Sequence, residues 1–352
     1  MLLDEWQRYP PVWDLVRRSV DGDPTGGRFL LAGSATPPQA KIHSGAGRIV
    51  RLRMRPLSLA ERMLTTPTVS LAALLGGGRP SVSGSSAVDL PQYAEEITAS
   101  GFPAIRMLPP RARTAQLDGY LARIADVEFV EQGSRVAKPA TLRAWMSAYA
   151  AATSTLTSYS TLIDAATPGE GHKPAKSTII HYRDTLTRLF LLDPLPGWLP
   201  AFNSLSRLAQ APKFHLADPA LAARLLGVSA AGLLDGMRAP GSGGLLIGAL
   251  FESLCALSLR VYAQRSSAAV HHLRTQNGDH EVDFIVEGDN RRIVAFEAKL
   301  SPVVDDSDVK HLKWLHARMG DTVADLVVLT TGKEAYRRKD GIAVVPAALL
   351  GP

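Results

Sequence analysis

The stretch HEVDFIVEGDNRRIVAFEAKL, residues 280–300, constrains the fold of this chain more than any other. Two apolar runs with interspersed charges flank the turn residues GDN, which predicts two adjacent strands. Residues two apart in a strand share a face. Glu297 and Lys299 therefore point the same way, and Asp283 points away from Val282 and Phe284. If the strands pair, Asp283 and Glu297 converge on one point.

Two converging carboxylates supply the oxygen ligands that a hard divalent cation such as Mg²⁺ prefers. Lys299 beside them would orient or polarise an attacking water, while the metal lowers the pKa of that water and stabilises phosphate charge. Glu252, on a predicted helix before the hairpin, would add a carboxylate. The sequence therefore predicts a catalytic set of Asp283, Glu297, Lys299 and Glu252, with Asp283 and Glu297 as metal ligands. The alternative is a set of solvated strand residues without catalytic role.

The order of elements around this hairpin is a helix with an acid, a strand with Asp283, a strand with Glu297 and Lys299, a helix and a strand. This D…ExK pattern resembles the PD-(D/E)XK nuclease superfamily over about the last third of the chain. The resemblance implies a nuclease-like α/β domain that hydrolyses phosphodiesters with Mg²⁺. Three nearby histidines would either help to bind phosphate or occupy polar positions at a strand edge, and the second interpretation is favoured: His271, His272 and His280.

Three N-terminal segments, MLLDEWQ, RFLLAGSA and RIVRLRMRP, contain predicted strands, and SLAERMLT after the third is predicted to start a helix. LLDEWQ resembles the Walker B motif of AAA-type ATPases, LLAGSA the sensor strand, and RIVRLRMRP the next strand. The resemblance implies that Asp4 holds Mg²⁺ through water, Glu5 activates the hydrolytic water and Ser34 is the sensor. With TLRAWMSAYAAAT, HEVDFIVE and FEAK, the chain is similar from end to end to bacterial ATPases whose C-terminal half carries a domain of unknown function.

The phosphate-binding loop of such ATPases, GxxxxGK[ST], does not occur in this sequence. Its backbone N–H groups cradle the phosphates and its lysine reaches them. We therefore expect no ATP hydrolysis, and ATP as a ligand only if a P-loop lies upstream. The missing strand would also leave RFLLAG and RIVRLR without ladder partners. The gene is either decayed or split, or Met1 is a misassigned start. We favour the second hypothesis, which the reading frame upstream of Met1 tests.

An arginine run in the third segment has two interpretations. One of these side chains would reach an ATP in a neighbouring subunit, or the run forms a basic sheet edge, and the second is favoured. The run consists of Arg48, Arg51, Arg53 and Arg55.

The middle of the chain reads as helix, short helix, turn, helix and extended chain, the order of a winged helix-turn-helix. The helix Ser177–Leu192 would lie in a DNA major groove, with basic side chains on the phosphates. Those side chains are Lys173, Lys176, Arg183 and Arg188. The alternative is a winged helix that acts as a spacer or protein contact, because much of this helix is apolar.

The predicted architecture is thus multidomain α/β. It comprises an incomplete AAA-type P-loop domain with a helical lid (1–132), a winged helix-turn-helix (133–235) and a C-terminal PD-(D/E)XK nuclease-like α/β domain (236–352). A net charge of +6 fits a DNA partner but does not require one. The single cysteine, Cys255, fits a core residue and a reducing cytoplasm. Glu252 interrupts the most apolar stretch, so no membrane span is expected. By analogy with such ATPases, a homo-oligomer is also expected.

Overall fold

The computed structural model describes residues 1–34, 47–129, 139–167, 175–200, 211–238 and 243–352. Over these residues the protein is mixed α/β, with helices leading into a seven-stranded mixed sheet. The predicted multidomain α/β class is confirmed at this level, while the domain limits stay predictions.

The N-terminal segment contains very little sheet. Strand β1 (Leu2–Leu3) pairs in parallel with β2 (Leu30–Leu31), and helix α1 (Pro11–Gly22) connects them. The predicted third strand, RIVRLRMRP, is wrong in the described residues 47–56, which are irregular. Extended chain needs a ladder partner for its backbone groups, and none of the described residues pairs with this run. Its apolar residue Met54 is 95% exposed.

The next part of the described chain, up to residue 129, is mainly helical. The helix predicted at SLAERMLT is wrong beyond the single 3₁₀ turn Ala60–Arg62. Asp89 caps α3 by accepting a hydrogen bond from the N–H of Gln92. The helices are α2 (Leu71–Gly76), α3 (Leu90–Thr98), α4 (Pro103–Arg106) and α5 (Pro110–Arg123), followed by a π-helical turn (Ile124–Glu128).

The middle segment has the predicted order of three helices followed by extended chain. Ser158 caps its second helix through a hydrogen bond from the N–H of Thr161. The helices are α6 (Pro139–Ala151), α7 (Tyr159–Ala166), α8 (Lys176–Arg188), α9 (Pro219–Leu225) and α10 (Ala230–Arg238). Between α8 and α9, Leu195 pairs antiparallel with Lys213. The chain at Gly197 then pairs with His272 of the large sheet.

The C-terminal part carries the large sheet, in the order β4-β9-β10-β8-β7-β6-β5. Strands β5, β6 and β7 are antiparallel neighbours, and β7 is parallel to β8. The predicted strands at Asp283, at Glu297 and after the following helix are confirmed, whereas β5 and β9 had not been predicted. The strands of this sheet are β4 (Gly84–Ser85), β5 (Ala269–Arg274), β6 (Glu281–Glu287), β7 (Ile293–Lys299), β8 (Val323–Thr330), β9 (Glu334–Arg337) and β10 (Ala343–Pro346). Strands β3 (Val69–Ser70) and β11 (Leu350–Gly351) form a separate parallel pair.

Apolar side chains cover both faces of this sheet. Phe284 and Phe296 belong to the core layer that includes helix α11 (Gly243–Arg265), and Ile285 lies in the layer that includes α12 (Lys310–Met319). Strands buried on both faces read as nearly continuous apolar runs, which explains the sequence of β8. Burial of such side chains supplies most of the stability of the sheet.

Helix α11 is the one helix in the described part of the chain that is by itself long and apolar enough to cross a membrane, despite Glu252. It packs against β5, β6 and β7, and most of its apolar stretch is buried, as in the core helix of a soluble domain. Cys255 lies in this helix and is buried, as predicted.

Candidate functional site

Asp283 and Glu297 meet where the β6–β7 ladder ends, at Phe284 opposite Phe296. Asp283 is the first residue of β6 beyond this point, where β6 no longer pairs with β7. Its Oδ2 accepts a hydrogen bond from the N–H of Ala298 at 3.0 Å. Glu297, next to Phe296, contacts the Asp283 carboxyl group. The side-chain period of two therefore brings these two predicted residues together.

Lys299 and Glu252 join the same cluster. Lys299 Nζ lies 3.2 Å from Glu297 Oε2, and 33% of the Lys299 side chain is exposed. Glu252, on α11, joins the cluster because its side chain binds the same residue as the side chain of Asp283 does. All four predicted catalytic residues thus lie at one end of the sheet, with Lys299 reaching solvent.

The shared partner is Lys213, which sequence reasoning missed. Its Nζ lies 2.9 Å from Glu252 Oε1, 2.8 Å from Glu281 Oε1 and 3.1 Å from Asp283 Oδ1. The side chain is 1% exposed. Glu281 was missed too, although it precedes Asp283 by two residues on β6 and so shares its face.

Lys213 comes from the extended chain before α9. Its backbone N–H and C=O both pair with Leu195, at 2.9 Å each. Alternation then buries Phe214 on the other side and turns Lys213 and His215 towards α11, where His215 lies 3.2 Å from Ser253 Oγ. The only sequence signal is a lysine within a short apolar run, KFHLA.

The carboxyl groups of the cluster differ in proton affinity. Burial raises the pKa of Glu252 to about 8, although the Lys213 ammonium opposes this. Burial and the neighbouring Asp283 raise the pKa of Glu297 well above its usual value. Burial acts the same way on Asp283, but Lys213 and the N–H of Ala298 outweigh it and hold its pKa below the usual value. Negative charge in the cluster therefore exceeds what its ammonium groups stabilise.

The donor set fits a hard divalent cation in chemical type, because carboxylate oxygens converge at one point. Glu297 Oε1 is buried and has no hydrogen-bond partner within the described residues. Three of the carboxylates are bound to Lys213 instead. In this arrangement, no group of three or more His, Cys, Asp or Glu side chains in the described ranges is placed to hold a metal.

Histidines lie on two sides of the cluster. The ring of His280 stacks on Trp314 at 4.0 Å, and its Nδ1 lies 3.3 Å from His311 Nδ1. The interpretation of His272 as a polar edge residue is wrong, because the chain at Gly197 covers that edge of β5 and buries the side chain. His271 is partly buried.

The three N-terminal residues predicted to act on ATP lie near one another. Glu5 and Ser34 share Gln7, whose Nε2 lies 2.8 Å from Glu5 Oε2 and 3.5 Å from Ser34 Oγ. Asp4 Oδ1 accepts a hydrogen bond from the N–H of Glu5 at 3.1 Å. Parallel pairing of β1 with β2 explains the proximity, because both strands end on the same side. Their roles stay predictions.

The arginine run does not form a sheet edge. Arg53 Nη1 and Arg55 Nε each lie 2.8 Å from the carboxylate of Asp193, which Arg260 Nη1 also approaches at 2.9 Å. Asp193 is buried. These ion pairs tie the segment before Pro56 to the extended chain that follows α8.

The basic face predicted on α8 is partly neutralised. Arg183 Nη2 lies 2.8 Å from Asp184 Oδ1 and its guanidinium lies over the ring of Tyr159, while Arg188 donates to Thr185 Oγ1. Lys176 is exposed. Lys173 lies outside the described residues.

Comparisons with known proteins add two domain matches. Residues 247–350 match the family model DUF4143, a domain of unknown function. Residues 90–232 match a second domain of unknown function, DUF8612. The DUF4143 match agrees with the predicted resemblance to proteins that end in a domain of unknown function. It contains all four predicted catalytic residues, with Asp283, Glu297 and Lys299 on strands and Glu252 on α11.

Two curated relatives match nearly the whole chain. They are the uncharacterized protein Rv2008c of Mycobacterium tuberculosis and the uncharacterized protein Mb2031c of Mycobacterium bovis. Each is 25% identical over 348 residues, which span 98% of this chain and 68% of the relative. No solved structure matches the chain.

Proposed function

We propose that the C-terminal part of this protein is a PD-(D/E)XK nuclease-like domain that hydrolyses phosphodiester bonds with the help of a divalent cation. One observation carries the proposal: Asp283, Glu297, Lys299 and Glu252, chosen from a sequence pattern, lie together at one end of the sheet. Four scattered solvated residues would not be expected to form one buried cluster.

Each residue has a role that follows from its position. Asp283 and Glu297 would hold the cation, because their carboxyl groups are in contact and Glu297 Oε1 is unpaired within the described chain. The cation, when bound, would supply a water of lowered pKa and neutralise phosphate charge. Lys299, which Glu297 holds and solvent reaches, would orient the attacking water. Glu252 would support the cluster from α11.

The remainder of the chain supports association with DNA rather than catalysis. The order of helices and extended chain in the middle segment is that of a winged helix-turn-helix, and Lys176 is exposed on its third helix. The N-terminal segment is an incomplete AAA-type domain in this proposal. Without GxxxxGK[ST] in the chain, no ATP hydrolysis is expected, and ATP binding requires an upstream P-loop.

A nicking assay tests the proposal directly. Purified protein with Mg²⁺ or Mn²⁺ is expected to nick supercoiled plasmid DNA, and Glu297→Gln to reduce nicking to the rate without metal. Glu334→Gln is a matched control, because Glu334 is an exposed glutamate on β9 of the same sheet. Equal nicking by the wild type and Glu297→Gln would rule out this mechanism.

A second candidate function is a non-enzymatic DNA- or protein-binding module. It is favoured by Lys213, which gives three of the carboxylates an internal cation and leaves a closed cluster. DNA binding that weakens steeply with salt, without nicking by any variant, would support this candidate. An ATP-dependent regulator is a third reading, which depends on an upstream P-loop.

A further inference from the structure

The ammonium group of Lys213 lies among the carboxylates of Glu252, Glu281 and Asp283, and Asp283 is also one of the two proposed cation ligands. Its distances of 2.8–3.1 Å to Glu252, Glu281 and Asp283 are those of charge-assisted hydrogen bonds. A divalent cation takes the same kind of oxygen at about 2.0–2.6 Å. A cation held by Asp283 and Glu297 would share the Asp283 carboxylate with the Lys213 ammonium, and the two positive groups would repel each other at that distance.

Lys213 lies neither on α11, which carries Glu252, nor on the sheet that carries the remaining members of the cluster. It lies on a stretch of extended chain that pairs with Leu195 and leads into α9. The partner chain continues to Trp198, whose N–H bonds the C=O of His272 on β5. The lysine therefore enters the cluster from a segment outside the seven-stranded sheet, and the strand pairings of that sheet do not include it.

We propose that Lys213 is an internal competitor for the divalent cation, so that the cation enters only when the Lys213 ammonium leaves Asp283, Glu252 and Glu281. This inference rests on the proposed cation site. It adds that occupancy of the site depends on the position of the described extended chain that carries Lys213, residues 211–218. A protein with this chain docked holds the cation weakly, and a protein with it displaced holds the cation tightly.

Mn²⁺ binding followed by electron paramagnetic resonance tests the inference without any cleavage. Lys213→Met keeps the length of the side chain and removes its charge. We expect this variant to bind Mn²⁺ about tenfold more tightly or better than the wild type, which corresponds to about 1.4 kcal/mol. Lys313→Met is the matched control, because Lys313 also binds two aspartates, Asp306 and Asp340, on the surface of the same domain. It should bind Mn²⁺ like the wild type. Equal affinity of Lys213→Met and the wild type, or no binding by either, would overturn the inference.

If Lys213→Met does not fold, lysine acetylation of the wild-type protein tests the inference instead. Lys213 is buried and should resist acetylation, whereas the exposed Lys310 should react. Mn²⁺ should raise the acetylation of Lys213 in proportion to its occupancy and leave Lys310 unchanged. A Lys213 that stays unreactive throughout the Mn²⁺ titration would overturn the inference.

The nicking assay separates this inference from the proposed function. If Lys213→Met gains Mn²⁺ binding but neither it nor the wild type nicks DNA, the competitor role stands and the hydrolytic function fails. If the wild type nicks DNA and Lys213→Met binds Mn²⁺ no more tightly than it, the function stands and the competitor role fails.

Discussion

The short candidate motifs at the two ends of this chain lie on very different secondary structure. At the C-terminal end, Asp283 and Glu297 lie on seven-residue strands within a sheet covered on both faces. At the N-terminal end, Asp4 and Glu5 follow a strand of two residues, and Leu30, in the partner strand, is 62% exposed. Long, buried strands hold the side chains of a motif in a better-defined arrangement than short, exposed strands do. The C-terminal site is therefore the better-defined candidate.

Truncation of a core side chain should give the largest difference in stability between the two ends. The contrast between the ends would fail if both contributed equally to the free energy of unfolding. Phe296→Ala should lower the free energy of unfolding by about 3–5 kcal/mol, because the ring is fully buried. Leu30→Ala should change it by less than about 0.5 kcal/mol, because the side chain is largely exposed. Urea unfolding of both variants and the wild type measures this. Similar losses would contradict the contrast.

Loss of a charge from the buried cluster should also cost more unfolding free energy than loss of a charge from an exposed ion pair. Lys213→Met should cost about 3–5 kcal/mol of unfolding free energy, because it leaves buried carboxylates without their cation. Arg143→Met removes an exposed ion pair to Asp126 and should cost less than about 1 kcal/mol. Thermal unfolding with circular dichroism compares them. A stable Lys213→Met would indicate that the carboxylates take up protons easily.

Asp193 joins the N-terminal segment to the rest of the chain, and its effect should appear as a pH dependence. Burial raises the pKa of Asp193, but Arg260, Arg53 and Arg55 outweigh it and hold the pKa below 3.8. The folded pKa is thus below the unfolded one. The stability from these ion pairs is therefore fully present above pH 3.8 and is lost as pH falls through the folded pKa.

Asp193→Asn should remove this part of the acid dependence in urea unfolding measured across the acid range. Asp184→Asn is the control, because Asp184 pairs with Arg183 on the surface. An acid profile of Asp193→Asn that matches the wild type would contradict the role of the ion pairs in joining the two regions.

The contrast also explains how much the sequence could predict. The period of two placed Glu297 and Lys299 on one side of β7 and Asp283 beside them, because long paired strands obey that period. The same pattern predicted a strand over RIVRLRMRP, which is irregular because Arg53 and Arg55 bind Asp193 and no strand lies beside this segment in the described chain. Alternation alone does not supply a ladder partner.

Lys213 could not be predicted for a different reason. It lies 39 residues before Glu252 and 70 before Asp283, and it reaches them through a pairing with Leu195 that no local pattern announces. Strand β5 was missed because its sequence AVHHLR has a histidine, His272, at a buried position where alternation would favour an apolar residue. Only docking of the chain at Gly197 on this edge explains why His272 is buried.

An anomalous difference map from crystals grown with Mn²⁺ tests the central claim most directly. The account predicts a manganese peak between the carboxyl groups of Asp283 and Glu297, with the Lys213 ammonium displaced from the cluster. Crystals at saturating Mn²⁺ that show no peak there, with Lys213 still bound to Glu252, Glu281 and Asp283, would contradict it.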